Sequence, residues 1–329
     1  KGIYYMKLIS PKNKFVIFGA SGMVGGALYK SLIRNGYLKV YTPGRRELNL
    51  LDYKSVENWF KKFNPEIVLL AAAKVGGIYA NDKFPADFIL ENLKIQTNVI
   101  EASWRNNVKK FLFLGSSCIY PKYSSQPIRE EELLNGYLEQ TNESYAIAKI
   151  SGIKLCEALN KQYGFNSICL MPTNIYGPGD NYHPINSHVI ASLIRRFYEA
   201  KIYGENEVIC WGTGSPLREF LHVNDLAEAS IFTLENWDIN NEFSPKKLNG
   251  DKLNFLNVGS GKDISIKRLA EYISKYMGFK GNIIWDSSKP DGTPKKLLDI
   301  NRINKMGWKA KISLKDGLKS TIEEYKKIN

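Results

Sequence analysis

Tyr145-Ala146-Ile147-Ala148-Lys149 sets a phenol and an ammonium four residues apart near the start of a predicted helix. Positions i and i+4 share a helix face, so both groups can address one ligand. A lysine beside a tyrosine favours phenolate, which predicts a Tyr145 pKa lowered toward the range where protons move at neutral pH. Upstream, Gly115-Ser116-Ser117 ends a strand-like run, and its hydroxyls suit a substrate carbonyl oxygen. The pattern is that of a carbonyl/alcohol oxidoreductase. YxxxK recurs by chance in many chains, so its weight depends on what accompanies it.

A glycine turn accompanies it. Gly19-Ala20-Ser21-Gly22-Met23-Val24-Gly25 joins a strand-like run at 14–18 to a helix-like run at 23–35, about 120 residues before Tyr145. Glycines at such a junction allow a tight turn, close approach of backbone to a pyrophosphate, and close helix packing. Free N–H groups and the positive end of the helix dipole then face the phosphates. The spacing is GxxGxxG rather than GxGxxG, so its setting between strand and helix carries the argument. The end of the second strand decides which dinucleotide fits. There the chain carries Tyr41-Thr42-Pro43-Gly44-Arg45-Arg46, with no carboxylate for a free ribose. Forked guanidinium donors suit a 2′-phosphate, which predicts NADP (NADPH) over NAD, with Arg45 as a contact. Glu47 follows directly, so an exposed Arg–Glu surface pair is the competing reading.

The elements that must position these groups are legible as alternating runs. Strand-like stretches at 14–18, 38–41, 67–72, 111–115 and 167–171 alternate with helix-like stretches at 23–35, 55–63, 85–106 and 144–163. Pro85 is acceptable in a first helical turn, and Gly164 stands where a C-terminal cap belongs. Alternation predicts right-handed βαβ units, hence an α/β fold with a Rossmann-type doubly wound parallel sheet. Beyond Pro172 the rhythm breaks at Gly177, Pro178, Gly179 and Pro184. Helices then fall at 187–203, 225–237, 265–277 and 314–327, with short strands near 208–211, 219–223 and 255–258. The expected division is an NADP-binding domain over 1–178 and a smaller C-terminal α/β substrate-binding domain, mainly 179–329. Segments at about 219–258 are expected to return to the first sheet.

Composition narrows the function classes. With 43% hydrophobic and 24% charged residues, the 329-residue chain is an ordinary globular one, not a disordered one. Its longest apolar run, 67–73, is far short of the roughly 18 residues that span a bilayer, so no membrane partner is expected. Residues 1–14 hold lysines without an apolar core, and no secretory signal is expected there; Met6 can serve as a start, with 1–5 an upstream extension. Cys118, Cys156, Cys169 and Cys210 are widely spaced, which suits reduced thiols in a cytoplasmic protein and no metal site. The net charge of +13 draws 19 basic against 10 acidic residues from positions 241–329, scattered singly. That is a solvated surface or a field for an anionic small substrate, with nucleic acid a poor third.

Taken with these residues, the chain resembles the extended short-chain dehydrogenase/reductases that act on nucleotide sugars. Within them it is similar to the branch that epimerises GDP-4-keto-6-deoxy-D-mannose at C3 and C5 and reduces C4. The likeness runs from about Lys14 to the C-terminus. It is strongest in AAAKVGGIYA (71–80), LGSSCIYPK (114–122), YAIAKISGIKLCE (145–157) and MPTNIYGP (171–178). NSHVI (186–190), REFLHV (218–223) and KPDGTP (289–294) continue it. Ala20-Ser21 departs from relatives that carry a basic residue in the turn, which puts more of the phosphate recognition on Arg45.

The resemblance implies a role for each matching residue. Tyr145 protonates the C4 oxygen as hydride arrives, Lys149 holds the nicotinamide ribose, and Ser116 binds the same oxygen. Cys118 and His188 form the epimerisation pair, since inverting a carbon next to a ketone needs a base and an acid on opposite faces; a thiol and an imidazole both titrate near neutrality. Further cofactor contacts fall on Leu114, Gly115, Ser116, Ser117, Pro172, Thr173, Asn174, Ile175 and His188, beside the glycine turn. Arg196, Trp211, Arg218 and Asp291 face the GDP-sugar. Without the resemblance, Cys118 reads as a buried thiol, Trp211 as core and Asp291 as part of a plain turn. A homodimer formed through the helices at 85–106 and 144–163 is also implied. Close alternatives are a GDP-4-keto-heptose C4 reductase with altered epimerase activity, and an epimerase or dehydratase that returns its hydride. A non-catalytic NADP sensor is the remaining class.

Overall fold

The computed structural model describes residues 7–289 and 291–329. Met6 with the extension before it, and Pro290 within KPDGTP, lie outside the described residues. The first part of the chain runs β1 (Phe15–Phe18), α1 (Met23–Arg34), β2 (Val40–Tyr41), α2 (Tyr53–Phe63), β3 (Ile67–Leu70), α3 (Ile78–Lys83), α4 (Pro85–Arg105) and β4 (Lys110–Leu114). It continues through α5 (Glu143–Tyr163), β5 (Ser167–Pro172), β6 (Asn174–Tyr176), α6 (Val189–Tyr203), β7 (Glu207–Trp211), β8 (Leu217–His222) and α7 (Val223–Asn236). The last part holds β9 (Phe255–Val258), β10 (Asp263–Ser265), α8 (Ile266–Met277), β11 (Asn282–Asp286), β12 (Lys295–Lys296), α9 (Asn301–Met306) and α10 (Leu314–Ile328).

Every residue of β1, β3, β4, β5 and β9 is buried, as strands covered on both faces must be. They form a six-stranded sheet in the order β2-β1-β3-β4-β5-β9, parallel throughout. Helices α1 and α7 pack together, as do α4 and α5, with α2 against α4. The strand order reverses at β1, and such a switch point opens a crevice at the carboxyl ends of the strands. Gly19 and Ser116 both stand there, directly beyond β1 and β4.

The second core is separate. Ile190, Ile194, Phe197, Leu269, Ile273 and Leu318 of α6, α8 and α10 build it. Over them lie β8, paired with β6, β10 and β12, and the parallel pair β7–β11. The expected return of residues at about 219–258 to the first sheet holds for β9 only, with α7 packed on α1. Strand β8 stays in the second sheet because β6, three residues long and directly after β5, captures it by register pairing of Asn174 with Phe220. Gly164 caps α5 in the left-handed conformation, as expected, with φ of 71°.

Candidate active site

Gly19 takes φ of +92°, and a Cβ there would meet the Ala72 backbone nitrogen at 2.6 Å, so only glycine fits the turn. Gly25 is equally constrained, pressed against the Gly19 carbonyl. Gly22 differs: a Cβ would meet nothing nearer than Gly19 O at 3.5 Å, so its own fold does not require glycine. Gly22 is the N-cap of α1, and no side chain caps that terminus or places an acid in its first turn. An uncapped, positively polarised helix start with open backbone is a cradle for a pyrophosphate. Arg45 and Arg46 are exposed beyond β2, and neither pairs with Glu47, which instead accepts from Trp59 Nε1 at 3.3 Å. The competing Arg–Glu pair is not formed, and both guanidinium groups are left to meet a phosphate.

At the end of β4, Ser116 caps a single 3-10 turn over Ser117–Ile119. Its Oγ lies 3.0 Å from Cys118 Sγ and accepts from Cys118 N at 3.3 Å. Lys149 of α5 is buried, and its ammonium donates to the Leu114 carbonyl at 2.8 Å. It sits 4.8 Å from the Phe113 ring centroid and 5.8 Å from that of Tyr145. Burial holds the Lys149 pKa down to about 8, so the ammonium persists at neutral pH.

Tyr145 corrects an expectation. Burial, reinforced by Cys118, pushes its phenol well above the usual value of 10.0, whereas the lysine was expected to lower it. The reason is geometric: the ammonium faces the ring and is engaged by Leu114 O. Tyr145 is therefore held as the neutral phenol.

His188 heads α6 as its N-cap without using its ring to cap it. His188 is exposed at the surface, and the desolvation it does suffer draws its pKa below the ordinary 6.5. Among the described residues no hydrogen bond joins it to Cys118 or Tyr145; its loop reaches the site through Gly77, whose nitrogen donates to Asn186 O at 3.3 Å. His222 caps α7 through Asn224 N at 3.2 Å, and His183 accepts from Ile185 N at 3.1 Å, so both serve local backbone.

Of the expected nicotinamide-side residues, Leu114 faces Lys149, and Gly115 lies against Met171. Thr173 and Asn174 direct their side chains to Glu219 O at 3.1 and 2.9 Å, and the backbone of Pro172–Ile175 is engaged by β8 and β9. Glu219, fully buried, accepts from Gly261 N at 2.7 Å and Leu298 N at 2.9 Å and so ties the two sheets at the cleft.

Arg218 of β8 is half-buried, and burial lowers its pKa; Asp291 and Glu139 lie close by. Asp291 itself accepts from Thr213 N at 3.0 Å and Thr213 Oγ1 at 2.7 Å, which anchors its loop. Arg196 projects from α6 near Cys210 of β7. Trp211 is 65% exposed, so it is not core, and Lys289 stands 5.8 Å over its ring. Sequence reasoning missed Lys296. It pairs in register with Arg218 on adjacent parallel strands, and its neighbours include Cys118 and Glu139. Like charges side by side are unfavourable, and an anion between them removes the penalty. Only its place two residues after KPDGTP marked it in the sequence.

An uncapped glycine turn at a sheet switch point, joined to a half-buried Tyr145 and a buried Lys149, defines a dinucleotide-dependent oxidoreductase site. Residues 15–244 match the NAD dependent epimerase/dehydratase family, and the chain belongs to it. It is 52% identical over 314 residues to a probable GDP-L-fucose synthase 1 of Oryza sativa subsp. japonica, covering 95% of this chain and 92% of that one. To the GDP-L-fucose synthase of Escherichia coli K12 it is 51% identical over 318 residues, covering 95% and 97%. Among solved structures it resembles MlghC, a GDP-mannoheptose C4 reductase from Campylobacter jejuni with NADP bound. The TM-score there is 0.87 at 38% identity, covering 97% of this chain and 99% of that one.

Proposed function

We propose that this chain is an NADPH-dependent enzyme that epimerises GDP-4-keto-6-deoxy-D-mannose at C3 and C5 and reduces C4, giving GDP-L-fucose. The observation that carries the reading is the cluster at the end of β4 that sets Cys118 among the reductase groups. Cys118 lies against Ser116, and the same thiol neighbours Tyr145, Lys149 and Lys296. The glycine turn and Arg45 fit NADPH, which when bound supplies the hydride for C4. Ser116 and Tyr145 hydroxyls donate to the 4-keto oxygen, which acidifies the protons at C3 and C5. Cys118 and His188 then remove and return those protons from opposite faces. Tyr145, kept neutral by burial, gives its proton to the C4 oxygen, and the nearby Lys149 ammonium steadies the phenolate that remains.

Arg218 and Lys296 hold the diphosphate, Arg196 adds a further cation, and Trp211 offers a stacking face with Asp291 beside Arg218. Residues up to about 178 carry the cofactor side and 179–329 mainly the sugar side. A homodimer through α4 and α5 is part of the reading, supported by their mutual packing and by exposed Leu90 and Ile147 on them. No helix among the described residues is long and apolar enough to cross a membrane, and four free cysteines suit a reducing, cytoplasmic setting.

The test supplies GDP-4-keto-6-deoxy-D-mannose with NADPH or NADH and identifies the sugar product, then repeats the run in deuterated water. GDP-L-fucose labelled at C3 and C5, formed with NADPH, is the expected result. A C4-reduced sugar without label at either carbon overturns the epimerase half. Turnover confined to a heptose substrate overturns the sugar assignment.

A further inference from the structure

The segment 74–77 belongs to no catalytic role above, yet it is held with unusual care. Asn92 of α4, buried, accepts from Lys74 N at 2.9 Å and donates to Lys74 O at 3.0 Å. Asn81 of α3, 7% exposed, donates to Gly76 O at 2.8 Å and Gly77 O at 3.0 Å. Two buried amides thus hold the loop at Lys74, Gly76 and Gly77. At Gly76 a Cβ would press on Ala80 and Phe88 at 3.1 Å, and Phe88 lies edge-on to Tyr145 at 6.4 Å.

Gly77 is the informative residue. Its φ of −67° and ψ of 179° are ordinary extended backbone, so conformation does not demand glycine there. Space does: a Cβ would stand 2.8 Å from the Ser187 carbonyl oxygen, which is backbone and cannot swing aside. The Gly77 nitrogen also donates to Asn186 O at 3.3 Å. Ser187 directly precedes His188, whose own carbonyl accepts from Ser192 N at 2.9 Å to start α6. The loop after β3 therefore sets how deeply the His188 backbone seats, through a contact only a glycine permits.

We infer that Gly77, fixed by Asn81, is a positioning residue that places His188 for proton transfer. The inference rests on the reading of His188 as one of the epimerisation pair. An alanine at 77 must push 186–188 outward by some tenths of an ångström, and misplacement of a catalytic group on the 1 Å scale costs on the order of 100-fold.

The experiment uses full-length Gly77→Ala and measures deuterium entry at C3 and C5 of GDP-4-keto-6-deoxy-D-mannose with NADP present. The maximal exchange rate is expected to fall roughly 10- to 100-fold, with KM for the sugar and NADPH affinity close to wild type. An unchanged exchange rate overturns the inference. A fall in exchange matched by an equal loss of NADPH affinity also overturns it, because that is what general destabilisation produces. His188→Asn separates the two claims: normal exchange there sinks the reading of His188, whereas lost exchange there with normal Gly77→Ala sinks only the positioning role. If Gly77→Ala does not fold, Asn81→Ala frees the same loop and the same split is expected; wild-type exchange in that variant counts against the inference.

Discussion

Replacing Lys296 with methionine should weaken the enzyme's grip on its nucleotide while making the empty protein more stable. Lys296 and Arg218 are register partners on parallel strands, roughly 5 Å apart by sheet spacing. Two like charges about 6 Å apart repel by about 3 kcal/mol at an effective permittivity near 20. Glu139, Asp291 and water offset part of that, leaving about 1 kcal/mol relieved by Lys296→Met. For a chain of this length that is a rise of about 2 °C in melting temperature. A charge-assisted hydrogen bond to a diphosphate oxygen contributes about 1.5–3 kcal/mol, so GDP should bind roughly 10- to 150-fold more weakly.

The pH dependence has a definite sign. Burial lowers the Lys296 pKa, so the unfolded chain holds that proton more tightly than the folded one. The cost is complete below the lowered folded pKa and disappears as pH rises past the ordinary value of 10.5. The stabilisation of Lys296→Met should therefore be greatest below the lowered folded pKa and vanish toward the alkaline end. Calorimetric titration with GDP and melting curves across pH read both quantities. Unchanged GDP affinity would refute the diphosphate seat, and a lower melting temperature at neutral pH would refute the repulsion.

Three further outcomes follow from the same site. Tyr145→Phe should stop NADPH consumption while deuterium still enters C3 and C5, because Ser116 remains to polarise the ketone; normal NADPH oxidation would remove Tyr145 as proton donor. Cys118→Ala should abolish label at one or both carbons with NADPH binding intact, and unchanged labelling would take Cys118 out of the mechanism. Arg45→Ala should weaken NADPH roughly 10- to 150-fold, the worth of one charge-assisted contact, and leave NADH almost untouched. An equal loss for both cofactors would show that Arg45 does not read the 2′-phosphate.

The parts legible in the sequence are those where local chemistry and periodicity agree. Four fully buried strands and the turn that Gly19 and Gly25 make obligatory announced the first sheet. The second sheet was harder, because β6, β10 and β12 are only two or three residues long and are defined by pairing with β8. Strand β8 carries no mark saying which sheet will take it, so the sequence told only that some of these later segments return to the first sheet, as β9 does. Lys296 was missed for the same reason: one lysine among many becomes significant only when register sets it beside Arg218. Charge neighbours can be read from sequence on a helix, as with Tyr145 and Lys149, but not across strands that meet from distant positions.

The failed expectation about Tyr145 makes the two chemistries easier to combine. A phenol already ionised would meet an enolate oxygen as a second anion, and enolisation at C3 or C5 would be opposed. A phenol kept neutral by burial can donate a hydrogen bond to that oxygen throughout both epimerisations and still hold its proton for the final reduction. Ser116, engaged with Cys118 at 3.0 Å, links the thiol to the hydroxyl proposed to bind that oxygen. The carbonyl can then stay in place while the carbons on either side are inverted. On the proposed roles the proton sets the order of events: as long as Tyr145 keeps it, the sugar would remain a ketone that can exchange, and its transfer to the C4 oxygen would end the acidity of C3 and C5 together.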